Sequence, residues 1–146
     1  IYTLSLHDAL PILASKKFYV GEWVVDKNSN NLLVKEVFDD YYRVVDQHGR
    51  EYDYDSVTMD VDCDEWRLSK AKEDDVLVGE SGNAFIFSGK FDEYHDGPIA
   101  KCGIKFDGSF AEGCGSRWSE KMFVKPATKE KADYLFRVME EKKFKL

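Results

Sequence analysis

Five aromatic residues, Trp23, Tyr41, Tyr42, Tyr52 and Tyr54, have the clearest chemical potential in this chain. Grouped electron-rich rings attract cations and stack on planar groups, so an exposed cluster of them would bind a peptide or a modified side chain. Neighbours on a strand point to opposite faces, so Tyr41 and Tyr42 cannot both be buried on one side. The same stretch is strongly acidic. From Glu36 to Glu65 eleven carboxylates stand against Arg43 and Arg50, a local charge of -9 within a chain of net charge -7. Asp53, Asp55, Asp60, Asp62 and Asp64 are its candidate acidic surface. Phosphate backbones need a basic face, so direct nucleic-acid binding is not expected.

Metal and catalytic chemistry find little support. The alternation Asp60-Val61-Asp62-Cys63-Asp64-Glu65 suggests a calcium loop, but Glu65 stands where such a loop needs glycine, and Ala71 where it needs glutamate. Cys102, Cys114 and His95 would make three zinc ligands, yet the cysteines fall on candidate strands, where small buried thiols are common. No metal or cofactor is expected. His7, His48 and His95 adjoin no nucleophile motif, and no phosphate loop, dinucleotide fingerprint or hydrolase elbow is present, so an enzyme is not expected.

These residues need a scaffold. With 146 residues, 43% hydrophobic and 14% aromatic, the chain can bury its own core, as one ordinary domain or two small ones. No apolar run approaches the ~20 residues that span a bilayer. Three cysteines without a CxxC pair fit a reduced, cytoplasmic setting.

Taken in order, Tyr2 to Ile12 reads Y-T-L-S-L-H-D-A-L-P-I, the residue-for-residue translation of a sequencing-adapter oligonucleotide. Residues 1–12 are therefore read as an adapter-derived artefact of an assembled, metagenomic fragment and excluded from fold reasoning. Phe18 to Asp26, Leu32 to Phe38, Tyr41 to Asp46 and Arg50 to Tyr54 read as strands separated by polar turns, with Ser56 to Met59 as a closing strand. Asp60 to Glu65 reads as a solvated connector, which divides a first unit, 13–65, from a second, 66–146. In the second, Val76 to Val78 and Ala84 to Phe87 flank Ser81-Gly82-Asn83, a tight hairpin. Asp107-Gly108 marks another hairpin, between Ile99 to Phe106 and Ser109 to Glu112. Thr128 is a good N-cap for a helix over 128–142, whose Ala132, Leu135, Phe136 and Met139 recur on one face. The expected class is α+β, mainly β: a small barrel followed by an antiparallel sheet packed by one C-terminal helix.

Two resemblances add a setting. The strand order and F-x-V-G-E-W-V-V opening of residues 18–59 resemble SH3-like barrels of the Tudor and KOW kind, which implies binding through exposed aromatic residues. Residues 66–146 resemble an uncharacterised family of gut bacterial, prophage and mobile-element proteins. That likeness rests on Trp66, Ala71-Lys72, Asp75-Val76-Leu77, the A-F-I-F strand, and P-A-T-K-E with Leu135, Phe136 and Met139. Members of that family usually carry Gly where Asp74 stands. The resemblance implies an accessory gene of phage or mobile-element type and transfers no residue roles.

The function expected is a non-enzymatic interaction module binding a protein partner. One alternative is an acidic anti-defence inhibitor or nucleic-acid mimic, which uses the -9 segment. The other is a small-molecule, nucleotide-binding protein.

Overall fold

The computed structural model describes residues 16–94, 97–112 and 123–146. The chain divides into two compact units between Trp66 and Arg67.

The first unit is a meander of strands β1 (Trp23–Val25), β2 (Asn31–Val37), β3 (Tyr41–Asp46) and β4 (Glu51–Asp55), then helix α1 (Ser56–Asp62) and strand β5 (Asp64–Glu65). All pairings are antiparallel and the sheet order is β4-β3-β2-β1-β5. Alternate residues build the core: Val24, Leu32, Val34, Tyr42 and Val44 share one buried face with Phe18, Met59 and Cys63. Burying a side chain of this size contributes about 1.5–3 kcal/mol, so this cluster is the main cohesive term of a small unit.

Two expectations are corrected here. Ser56 to Met59 is helical, not a closing strand. The Asp55 carboxylate accepts from Thr58 N and from Thr58 Oγ1, both at 3.0 Å, and this N-cap starts the helix. Burial of Ser56, Met59 and Cys63 then follows helical spacing, while Val57 and Val61 face solvent. Nor is Asp60 to Glu65 a solvated connector. Asp60 to Asp62 form the last turn of α1, and Asp64 and Glu65 pair with Val25 and Val24.

The second unit contains a 3-10 turn (Leu68–Lys70) and strands β6 (Val76–Val78), β7 (Ala84–Phe91), β8 (Pro98–Ile104), β9 (Phe110–Glu112) and β10 (Lys125–Pro126), in sheet order β10-β6-β7-β8-β9. Helix α2 (Lys129–Glu141) is capped by the Thr128 hydroxyl, which accepts from Lys131 N. Leu135 and Met139 enter a cluster with Val76, Val78, Ala84, Ile86, Cys102, Ile104 and Ala127, supported by Ala132, Val138 and Phe144. Phe136, expected on this face, is instead 44% exposed. The buried stripe is centred on Leu135 and Met139 and extends towards Val138, which turns Phe136 outward. The protein is α+β and mainly β: its described residues form two five-stranded antiparallel sheets and a C-terminal helix.

One loop design recurs. In the turns headed by Asp26, Asp46, Gly79 and Lys105, the head N–H donates to the carbonyl four residues on, and the N–H three residues on returns to the head carbonyl. The residue that closes each turn has positive φ: Ser29 at 66°, Gly49 at 83°, Gly82 at 79° and Gly108 at 86°. Three-residue hairpin loops demand this left-handed position, which glycine fills without steric cost.

Candidate functional site

Each candidate aromatic residue takes a position set by strand alternation. Tyr42 is fully buried. Its hydroxyl donates to Asp60 Oδ1 at 2.6 Å and accepts from Phe18 N at 3.3 Å. Trp23 is also buried, as 92% of its surface is covered. Neither ring can contribute to an exposed cluster. Tyr54, paired across the ladder with Tyr42, packs against the same core and bonds Cys63, and desolvation followed by that bond pushes its hydroxyl pKa up.

Tyr41 lies on the opposite face and already has a cation. It stacks on Phe38 with ring centroids 4.4 Å apart, and the Arg43 guanidinium lies 5.3 Å from the Phe38 centroid and 5.9 Å from that of Tyr41. Arg43 is itself held between Asp53 at 3.1 Å and Glu36 at 3.4 Å, its direct cross-strand partners. This platform is filled by the protein's own arginine. The five aromatic residues are thus not brought together. Tyr52, 40% exposed, remains as the open ring. Its centroid lies 6.4 Å from that of Tyr54.

The acidic residues also have local work. Asp53 pairs with Arg43, Asp55 caps α1 and Asp60 anchors Tyr42. Asp62 and Asp64 lie 3.7 Å and 3.8 Å from Lys27 and Lys17, respectively. Hydrogen bonds from Thr58 N and Thr58 Oγ1 hold the Asp55 carboxyl below the usual range. The -9 segment is therefore partly a set of folding contacts rather than a uniform charged field.

Among the described residues strand β4 is nevertheless an open edge: it pairs there with β3 alone, and four of its five residues are exposed. Antiparallel ladders alternate hydrogen-bonded with non-hydrogen-bonded pairs. The Asp46–Arg50 and Asp40–Ser56 bonds at the two ends fix the phase. Tyr52 and Tyr54 then bond to β3, while the N–H and C=O groups of Glu51 and Asp53 and the N–H of Asp55 point away from the sheet; the Asp55 carbonyl, at the N-cap, serves the first turn of α1. This edge presents a row of main-chain groups flanked by three carboxylates.

Beside it, Asn30, Asn31, Asp46, Gln47, His48, Arg50 and Tyr52 line a groove of about 290 Å³. Two of the recurring loops form its banks. Asp26 Oδ1 accepts from Asn28 N and Asn30 N, and Asp46 Oδ1 from His48 N and Arg50 N, at 2.8–2.9 Å. Asp46 Oδ2 also accepts from Arg50 Nε at 2.9 Å. Burial works to raise the Asp46 pKa, but these donors prevail and hold it below the ordinary carboxylate range. Asn31, 97% covered, donates through Nδ2 to Gln47 Oε1 at 3.2 Å. Burial, then the carboxylates of Asp26 and Asp46, push the Tyr52 hydroxyl pKa up and keep it neutral. This groove was not anticipated from sequence. Its signal is the repeated pattern Asp26-x-x-Ser29-Asn30 and Asp46-x-x-Gly49-Arg50, two Asp-headed turns of equal length.

Among the described residues no group of three or more His, Cys, Asp or Glu side chains is arranged to hold a metal ion. Cys102 is buried on β8, whereas His95 and Cys114 lie outside the described residues. No helix among the described residues is long and apolar enough to cross a membrane. Comparison with protein-family models, with curated proteins and with solved structures gives no match.

Proposed function

We propose that the first unit is a non-enzymatic interaction module that takes an extended, basic segment of a protein partner along β4. The observation that carries this reading is the exposed edge, whose outward main-chain groups belong to Glu51, Asp53 and Asp55. An incoming strand forms main-chain hydrogen bonds to such an edge, and side-chain charge selects which strand is accepted. Asp53 is shared with Arg43 and Asp55 with the α1 cap, but with Glu51 they keep the edge acidic, so that it repels a second copy of itself and favours an incoming strand carrying Lys or Arg. The accessory-gene setting implied for residues 66–146 is compatible with such an adaptor role.

The test is an amide-shift titration of labelled protein with an amidated peptide alternating Lys and Val. Saturable shifts at Glu51, Asp53 and Asp55, weakening as salt shortens the screening length below ~10 Å, are expected. Asp53→Pro removes an outward N–H while sparing the β3 ladder, and it should abolish binding; Asp53→Asn should only weaken it. Binding indifferent to Asp53→Pro, or shifts confined to other strands, would overturn this reading.

A further inference from the structure

The groove at the hairpin tips is separate in chemistry from the β4 edge. It belongs to the 46–52 hairpin and the 30–31 segment, and its lining is polar apart from the Tyr52 ring. We propose that it binds a pyranose ring, stacked on Tyr52 and hydrogen-bonded by the amide of Gln47.

Four features of the groove select this ligand class. First, the site is one-sided. Tyr52 offers the one large aromatic face; of the other planar groups in the lining the Arg50 guanidinium is tied to Asp46 and His48 is a small polar ring, and Asn30, Asn31 and Gln47 are carboxamides. A nucleobase exposes two π faces and no aliphatic C–H patch, and it stacks on aromatic or guanidinium planes, of which the Arg50 plane is tied to Asp46 here. A pyranose is amphipathic by face, with a patch of C–H groups on one side and hydroxyls around its rim. Its C–H patch matches Tyr52, and its rim matches the amides.

Second, the groove itself carries little net charge, because the Arg50 guanidinium lies on the Asp46 carboxylate at 2.9 Å. The surrounding segment, by contrast, carries -9. Its field opposes phosphates and other anions but leaves a neutral polyol unaffected.

Third, the hydrogen-bonding groups are fixed but not exhausted. A buried carboxamide is costly unless bonded, and Asn31 spends one Nδ2 donor on Gln47 Oε1. Each carboxamide has two donors and an acceptor oxygen with two lone pairs. Gln47 therefore retains two amide donors and an acceptor lone pair at the groove, the combination that vicinal hydroxyls require, while the covered Asn31 fixes the Gln47 oxygen in place. The neutral Tyr52 hydroxyl and His48 add further groups at the rim.

Fourth, the site is pre-formed. Asp26 and Asp46 each lock a bank through two short bonds to backbone N–H groups, so little conformational freedom is lost on binding. A volume of about 290 Å³ lies at the lower end of small-ligand sites and limits the occupant to one or two rings.

The test is a saturation-transfer and amide-shift titration of the full chain against methyl glycosides of glucose, galactose, mannose and N-acetylglucosamine, with adenosine and AMP as separate arms. At least one glycoside should bind saturably, with Kd on the order of 1 mM, and shift the amides of Asn31, Gln47 and His48. Tyr52→Ala should lose that binding at least tenfold, and Tyr52→Phe should keep it. Because Asn31→Ala risks unfolding a buried position, Gln47→Ala is the second variant, with weakened binding expected on an unchanged amide spectrum. Longer oligosaccharides ending in the preferred sugar distinguish a glycan terminus from a free sugar: tighter binding marks the terminus, equal binding the free ring, and both support the proposal. No response to any glycoside, binding of adenosine or AMP alone, or glycoside binding untouched by Tyr52→Ala would overturn it.

Discussion

Tyr42 and Asp60 join the middle of the first sheet to helix α1 through one short hydrogen bond, from the buried hydroxyl to Oδ1 at 2.6 Å. The hydroxyl also accepts from Phe18 N, so the segment before β1, strand β3 and α1 meet at one oxygen. Lys16 Nζ reinforces the joint, donating to Ser56 Oγ at 3.0 Å and to the Asp39 carbonyl. Tyr42→Phe leaves the Phe18 N–H and the Asp60 carboxylate without this partner while keeping the ring. We expect a loss of about 1–3 kcal/mol in urea unfolding. A loss below that range would show that water replaces the hydroxyl.

The same bond predicts an alkaline limit. Burial, and then the bond to Asp60, push the Tyr42 hydroxyl pKa up to about 12. In the unfolded chain it titrates near ~10. The folded value is raised, so the stabilisation is fully present below about pH 10 and is lost as pH rises through about 12. Urea midpoints should therefore hold steady from neutrality to mild alkali and then fall. Tyr42→Phe should fall less steeply, and equal slopes would assign the effect to another group.

At acid pH the sign reverses. Asp46 is held below the ordinary carboxylate range, because donors from Arg50 and His48 outweigh the burial that opposes them. A depressed folded pKa gives stability that is present above the unfolded value, ~3.9, and lost as pH falls through the folded one. Asp46→Asn keeps an acceptor oxygen but cannot titrate. Its melting temperature should depend less on pH below about 4 than that of the wild type, and parallel curves would count against Asp46.

Ser29 closes its loop at φ 66°, where the three equivalent turns use glycine. A non-glycine residue in this region is strained by roughly 1–2 kcal/mol, offset in part by the greater freedom glycine has when unfolded. Ser29→Gly should stabilise the first unit by about 0.5–1 kcal/mol. Asp74 is a second such site, at φ 73°. Its substitution also removes an ion pair to Lys101, which keeps Glu73 at 2.7 Å. A smaller gain is expected for Asp74→Gly, read from the shift in denaturant midpoint.

In α2, Leu135→Ala should cost about 2–5 kcal/mol, because the side chain is wholly enclosed between helix and sheet. Phe136→Ala should cost much less, about 0.5–1 kcal/mol, as nearly half of its surface is exposed and it stands outside the helix–sheet cluster. Proteolytic resistance of both variants measures the contrast, and equal losses would contradict the observed helix rotation.

Local patterns in the sequence determine much of this protein. Alternating β-branched and aromatic residues specify the strands, Thr128 starts the last helix, and Asp107-Gly108 makes its hairpin. Period and turn chemistry are short-range, so they are legible without coordinates. Ser56 to Met59 misleads because valine and threonine favour strands intrinsically, whereas the decisive contacts, the Asp55 cap and the burial of Met59 and Cys63, depend on where β4 ends. Phe136 misleads because a four-residue stripe does not fix which edge of a helix meets the sheet. The aromatic and acidic residues show the limit most clearly. Sequence places Tyr41, Tyr42, Tyr52 and Tyr54 within a few residues of one another, but tertiary structure sends one to the core, one to Cys63, one beneath Arg43 and one to an open groove. Which face of a sheet is buried, which strand is left at its edge, and which carboxylates are already paired are set by long-range pairing, and only the fold decides them.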